Sequence, residues 1–115
     1  MPGPAYIALD LGTSAIKAAL VYPRARRVAQ IRRRPFPEPL PGRPAHWVEL
    51  SPAAILDEVR GLLAELAPLA PECAGVVLCG QMSGLVLTSP RGEALSSYIS
   101  WRDQRLTLPA PGGGS

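Results

Sequence analysis

Apolar residues along this chain fall into short runs broken by small, polar or proline-rich clusters. Tyr6 to Leu9 is an apolar run closed by Asp10, which predicts a strand over Tyr6–Asp10. Gly12-Thr13-Ser14 reads as a tight turn into a second strand, Ala15–Val21. Tyr22-Pro23-Arg24-Ala25 turns the chain again into Arg27–Arg33, where Val28 and Ile31 are apolar. The three strands form a meander. Pro35 to Pro44 is too rich in proline for helix or central strand, and His46–Leu50 is an extended approach to the next element. There Ser51 is a good N-cap and Pro52 suits the first helical position. Ile55, Val59, Leu62 and Leu66 recur at helical spacing, with Leu56 and Leu63 widening the stripe and Asp57, Glu58, Arg60 and Glu65 on the wet side. Gly61 weakens the helix by about 1 kcal/mol relative to alanine, and Pro68 and Pro71 end it.

Ala74–Cys79 is apolar without interruption, the pattern of a buried central strand. Strand, helix and strand in succession predict parallel pairing through a right-handed crossover. Gly80–Gly84 is then a turn, Leu85–Thr88 and Ala94–Ile99 a hairpin around Ser89-Pro90-Arg91-Gly92, and residues 106–115 a flexible Pro/Gly-rich tail. The order β-β-β-α-β implies an α/β fold with a mixed sheet. In such sheets ligands bind beyond the carboxyl ends of the strands. Asp10 ends the first strand, and Gln81, Met82 and Ser83 follow the strand after the helix. If those strands are parallel neighbours, both groups share one crevice.

The chemistry centres on Asp10 to Lys17. A tight Gly-Thr-Ser turn can present backbone N–H groups and hydroxyls to an anion. Asp10 can hold a hydrated Mg²⁺, and Lys17 can reach a phosphate oxygen. Two readings fit the segment: a phosphoryl-transfer site, or an ordinary β-hairpin with a polar turn. It is neither a Walker loop nor a dinucleotide fingerprint, since no Gly-Lys-Ser/Thr or G-x-G-x-x-G occurs.

At 115 residues the chain holds at most one domain. No apolar run is long enough to span a membrane, and Met1-Pro2-Gly3-Pro4 lacks the features of a signal peptide. Cys73 and Cys79 have no metal or redox spacing, so a reducing, cytoplasmic compartment is expected. The net charge of +3 is modest; eleven of the twelve basic residues are arginine, which with fourteen prolines suggests coding bias. The cluster Arg24, Arg26, Arg27, Arg32, Arg33 and Arg34 has no aromatic stacking platform or recognition helix beside it. A solvated hairpin edge that discourages strand pairing suits it better than nucleic acid does.

Four segments, in order, resemble the FGGY family of carbohydrate kinases. Residues 6–17 are similar to its opening D-x-G-T-x-x-x-K phosphate motif, and Trp47-Val48-Glu49 to its W-x-E segment. Gly80-Gln81-Met82-Ser83-Gly84 resembles the G-Q-M-H-G stretch of xylulokinase-like members, and Trp101-Arg102-Asp103-Gln104-Arg105 the W-N-D-x-R segment. The resemblance implies an actin-like (ribonuclease H-like) fold, present here as an incomplete N-terminal domain over residues 1–105. It implies ATP and Mg²⁺ as cofactors and a sugar or polyol as substrate. Asp10 would organise the metal. Gly12, Thr13, Ser14 and Lys17 would face the phosphates. Gln81, Met82 and Ser83 would line the sugar pocket with Trp101 as an apolar wall, and Asp103 and Arg105 would shape that wall or bind hydroxyls. Ser83 stands where xylulokinase-like members carry histidine, which leaves the sugar open. The family's general base, an aspartate far downstream, and its nucleotide domain are not among these residues.

Three functions follow from these features. The chain is an N-terminal piece of a sugar kinase, inactive alone and completed by a remainder that can be a separate chain. Otherwise it is a non-catalytic sugar-binding or complementing protein of that descent, or, more weakly, a basic nucleic-acid module. The first two predict no nucleic acid or membrane partner.

Overall fold

A computed structural model describes residues 3–107. The chain forms two compact units: residues up to Phe36 with Ile55–Gln81, and Pro37–Ala54 with residues from Met82 on.

The first unit is a four-stranded sheet and most of a helix. β1 (Ala5–Leu11) pairs antiparallel with β2 (Ala15–Tyr22), which pairs antiparallel with β3 (Arg27–Pro35). Alternation sets the faces. Ala5, Ile7 and Leu9 of β1 and Ile16, Ala18 and Leu20 of β2 are buried on one side, while Asp10 and Lys17 point to the other. The helix α1 (Pro52–Leu66) covers the buried side. Arg34, in register with Ile16, extends over it to Glu58 (3.4 Å) and Glu65 (3.3 Å) of α1. A Cβ on Gly61 would lie 2.5 Å from this guanidinium, so the helix-weakening glycine makes room for an ion-paired arginine. Leu62 and Leu66 are fully buried as the stripe predicts; Leu56 is 50% exposed and does not widen it.

β5 (Cys73–Cys79) runs parallel to β1, as the crossover requires, giving the order β3-β2-β1-β5. The expectation of a buried central strand is corrected here. β5 is an outer strand among the described residues, with Val77 57% and Leu78 67% exposed. Its apolar run is left uncovered by the described residues. The arginine-rich β3 is the other edge, as the charge pattern suggests. A bulge interrupts its register with β2, near Gln30 at φ 54°.

In the second unit β4 (Glu49–Leu50) pairs antiparallel with β6 (Tyr98–Ile99). The hairpin expected over Leu85–Thr88 and Ala94–Ile99 forms with antiparallel bridges of Thr88 to Ala94 and Leu85 to Ile99, and the Leu95 N–H donates to the Leu87 carbonyl at 2.7 Å. Residues 98–99 also pair with the pre-helix segment. The Ser51 cap forms, its Oγ accepting the Ala54 N–H at 3.1 Å. Arg105–Thr107 is a single 3₁₀ turn, and the remainder of the expected tail lies outside the described residues.

Candidate functional site

In the first unit the β1–β2 register narrows to Leu11 opposite Ile16, leaving Gly12-Thr13-Ser14 as the turn. The Gly12 N–H closes the hairpin on the Ala15 carbonyl at 3.0 Å. A Cβ on Gly12 would meet that oxygen at 3.0 Å, so the closure favours glycine. The Phe36 N–H donates to the Ser14 carbonyl at 3.0 Å and the Gln81 amide to the Gly12 carbonyl at 2.7 Å. The turn is thus held from both flanks through its carbonyls. Among the described residues, the Thr13 and Ser14 backbone N–H groups make no hydrogen bond. They are the donors a bound anion would use.

Asp10 and Lys17 face each other across β1 and β2, both exposed and in no ion pair among the described residues. Beside them the uncovered sheet face forms an open depression of about 300 Å³, walled by Ala8, Ala19, Val77 and Cys79. Cys79 is in register with Asp10. The carboxyl ends of β1 and β5 therefore lie side by side, and Gln81 reaches the phosphate-like turn as the parallel pairing predicts. No group of three or more His, Cys, Asp or Glu side chains among the described residues has metal-binding proximity. One carboxylate beside open water suits Mg²⁺, which keeps most of its waters, and does not suit a protein-caged zinc.

The other predicted residues belong to the second unit. Met82 is 83% exposed. Ser83 sits at φ 66°, a left-handed conformation that a non-glycine residue rarely adopts without functional or steric cause. A Cβ on Gly84 would overlap the Tyr98 ring, so the glycine lets the loop pass that side chain. Trp101 is half exposed.

Asp103 and Arg105 are engaged inward. The Asp103 carboxylate accepts the Val48 N–H (2.7 Å), the Arg105 N–H (3.0 Å) and the Arg105 guanidinium (2.9 and 2.6 Å). Arg105 also bonds Glu49 at 2.5 Å and lies 3.7 Å from the centre of the Trp47 ring. The other Glu49 oxygen accepts from Ser97 at 2.6 Å and Arg43 at 3.4 Å. Hydrogen bonds from the Arg105 side chain hold the Asp103 carboxyl down at about 2. The Ser97 hydroxyl, then Arg105, lowers Glu49, and the two acids, Asp103 foremost, raise Arg105. Burial pushes the Tyr98 phenol up. Glu49 and Trp47 were legible only as parts of a motif. The available signal was an acid between two apolar neighbours, Val48 and Leu50, which needs a cation once buried.

Residues 5–108 match the model of the FGGY family of carbohydrate kinases, N-terminal domain. The chain belongs to this family. It is 34% identical over 105 residues to the xylulose kinase of Bacillus subtilis (strain 168), covering 88% of this chain and 20% of that protein. The crystal structure of xylulose kinase from Rhodospirillum rubrum is similar with a TM-score of 0.74 and 30% identity, over 88% of this chain and 21% of that one. Plasmodium falciparum glycerol kinase, at 15% identity and a TM-score of 0.70 over 90% of this chain and 21% of that one, shares the fold. The chain is thus an FGGY N-terminal region with the actin-like mixed α/β architecture, spanning about a fifth of the length of these relatives. Among the described residues no helix is long and apolar enough to cross a membrane.

Proposed function

We propose that this chain is the sugar-side, N-terminal part of a cytoplasmic ATP-dependent kinase that phosphorylates a hydroxyl of a sugar or polyol. Residues 1–105 would form the sugar-binding region. The observation that carries the reading is the braced turn. Among the described residues Thr13 and Ser14 offer unused N–H groups and Asp10 and Lys17 form no ion pair beside them, and Gln81 ties the turn to the end of β5. Asp10 would hold Mg²⁺ through water, and Gly12, Thr13, Ser14 and Lys17 would receive phosphate oxygens. When bound, Mg-ATP supplies the phosphoryl group and neutralises charge developing in transfer. Met82, Ser83 and Trp101 would line the sugar pocket together with Gln81, while Asp103 and Arg105 shape it from behind. Serine at position 83 gives a small, uncharged lining group, which admits bulkier substituents than histidine would.

General-base catalysis needs a side chain within hydrogen-bond reach of the attacking hydroxyl. The resemblance places that base outside these residues, so the chain alone should not turn over. The test joins it to a matching kinase remainder and compares Asp10→Asn with the parent. Phosphoryl transfer should fall about 10–100-fold, the range for residues acting on a metal through an intermediate ligand. Sugar affinity and folding should be retained. Unchanged transfer, or unfolding by the isosteric amide, would leave the turn as a structural hairpin.

A further inference from the structure

We propose that Glu49, Asp103 and Arg105 form a clamp that positions Trp101, and that neither carboxylate contacts the substrate. The sugar part of this inference rests on the function proposed above; the positioning part does not.

Trp101 and Arg102 are the two central residues of a turn closed by the Asp103 N–H on the Ser100 carbonyl at 3.0 Å. Both stems of the turn are fastened to one segment, His46–Glu49. The Ser100 N–H donates to the Val48 carbonyl (2.9 Å), and the Gln104 N–H to the His46 carbonyl (2.9 Å). The Val48 N–H returns a bond to the Asp103 carboxylate at 2.7 Å. Arg105 completes the attachment, bridging Asp103 and Glu49 while stacking on Trp47. The anchoring groups are largely withdrawn from water: Asp103 and Glu49 side chains are 3% and 9% exposed, and Ser100 is buried. Trp101, at the tip, is 50% exposed.

That contrast is the argument. A solvated tip usually belongs to a loose loop. Here six charge-assisted or backbone bonds hold two residues, one of them a large aromatic left half exposed. An indole fixed in this way offers a pre-organised face to a ligand with apolar C–H surface and polar edges, as a sugar or polyol has, at little ordering cost. The Asp103 carboxylate accepts from Val48 and Arg105 and the Glu49 carboxylate from Arg105, Ser97 and Arg43, and no buried side-chain polar atom among the described residues lacks a partner. The two carboxylates are withdrawn from water, so their effect on a ligand runs through Trp101.

The test uses the 115-residue chain with Glu49→Gln and Arg105→Lys. Lysine keeps the charge and loses the fork that spans two carboxylates. The ¹⁵N relaxation of the Trp101 indole, assigned with Trp101→Phe, reports its order; D-xylulose and glycerol are the ligand probes. Both variants should stay folded by circular dichroism, and the indole order parameter should fall from about 0.85 toward 0.6. Sugar affinity should fall about 5- to 10-fold. The double variant should be no weaker than either single, because the residues act as one unit. If either variant unfolds, Ser97→Ala removes only the Ser97–Glu49 bond and should loosen Trp101 to a smaller extent. A Trp101 as ordered in the folded variants as in the parent overturns the clamp. So does weakened sugar binding with Trp101 unchanged, which would make Arg105 a direct ligand. Loosening of Trp101 in a chain that binds neither probe supports the clamp and removes the sugar reading.

Discussion

Acidification should dismantle the Glu49–Asp103–Arg105 network before the rest of the protein responds. Asp103 has a folded pKa of about 2 against an ordinary value of 3.8. A depressed carboxylate contributes stability that is complete above its unfolded pKa and is lost as pH falls through the folded one. The window is therefore from about pH 4 down to about pH 2. A shift of this size corresponds to about 2 kcal/mol at full strength, and to about 1–2 kcal/mol once solvent screening near Arg105 is allowed for. Glu49 is lowered as well, in the same sense, and adds to the same limb. Urea unfolding of the parent at half-unit steps between pH 6 and pH 2, followed by tryptophan fluorescence, measures the slope. Asp103→Asn removes the group that titrates. It should cost about 1–2 kcal/mol at pH 6, flatten the limb, and converge on the parent near pH 2, leaving only the Glu49 contribution. An Asp103→Asn variant with the parent's full acid slope would show that Asp103 is not held by Arg105, and the network argument would fail.

Gly61→Ala should change stability by less than about 0.5 kcal/mol, since the gain of about 1 kcal/mol in helix propensity is offset by displacing Arg34 from Glu58 and Glu65. In an Arg34→Ala background the same substitution should recover close to the full gain, and thermal melts of the four proteins check the difference. The apolar residues exposed along β5, Val77 and Leu78 among them, should make the isolated chain self-associate. Sedimentation velocity should show concentration-dependent association that Val77→Lys reduces, and a monodisperse parent at high concentration would contradict it.

Local pattern alone determined the meander, the Ser51-capped helix, the parallel return strand and the family motifs. Each depends on near-neighbour physics: strand alternation, helical spacing, turn chemistry and a side-chain cap. The Asp10–Lys17 turn was legible for the same reason, because a hairpin brings residues seven apart in sequence to opposite each other. What the chain does at long range was not legible. Ala74–Cys79 reads as a buried strand, yet a run of apolar residues states a need for burial and not whether neighbours meet it; here β5 is an outer strand. Likewise the bond from Arg105 to Glu49, more than fifty residues earlier, could not be read from the local motif. That the Gln81 amide donates to the Gly12 carbonyl, 69 residues earlier, was not legible either. In each case the decisive partner is remote in sequence. Which donors and acceptors remain for a ligand depends on pairings that form only when distant segments pack, so it was decided by the tertiary structure.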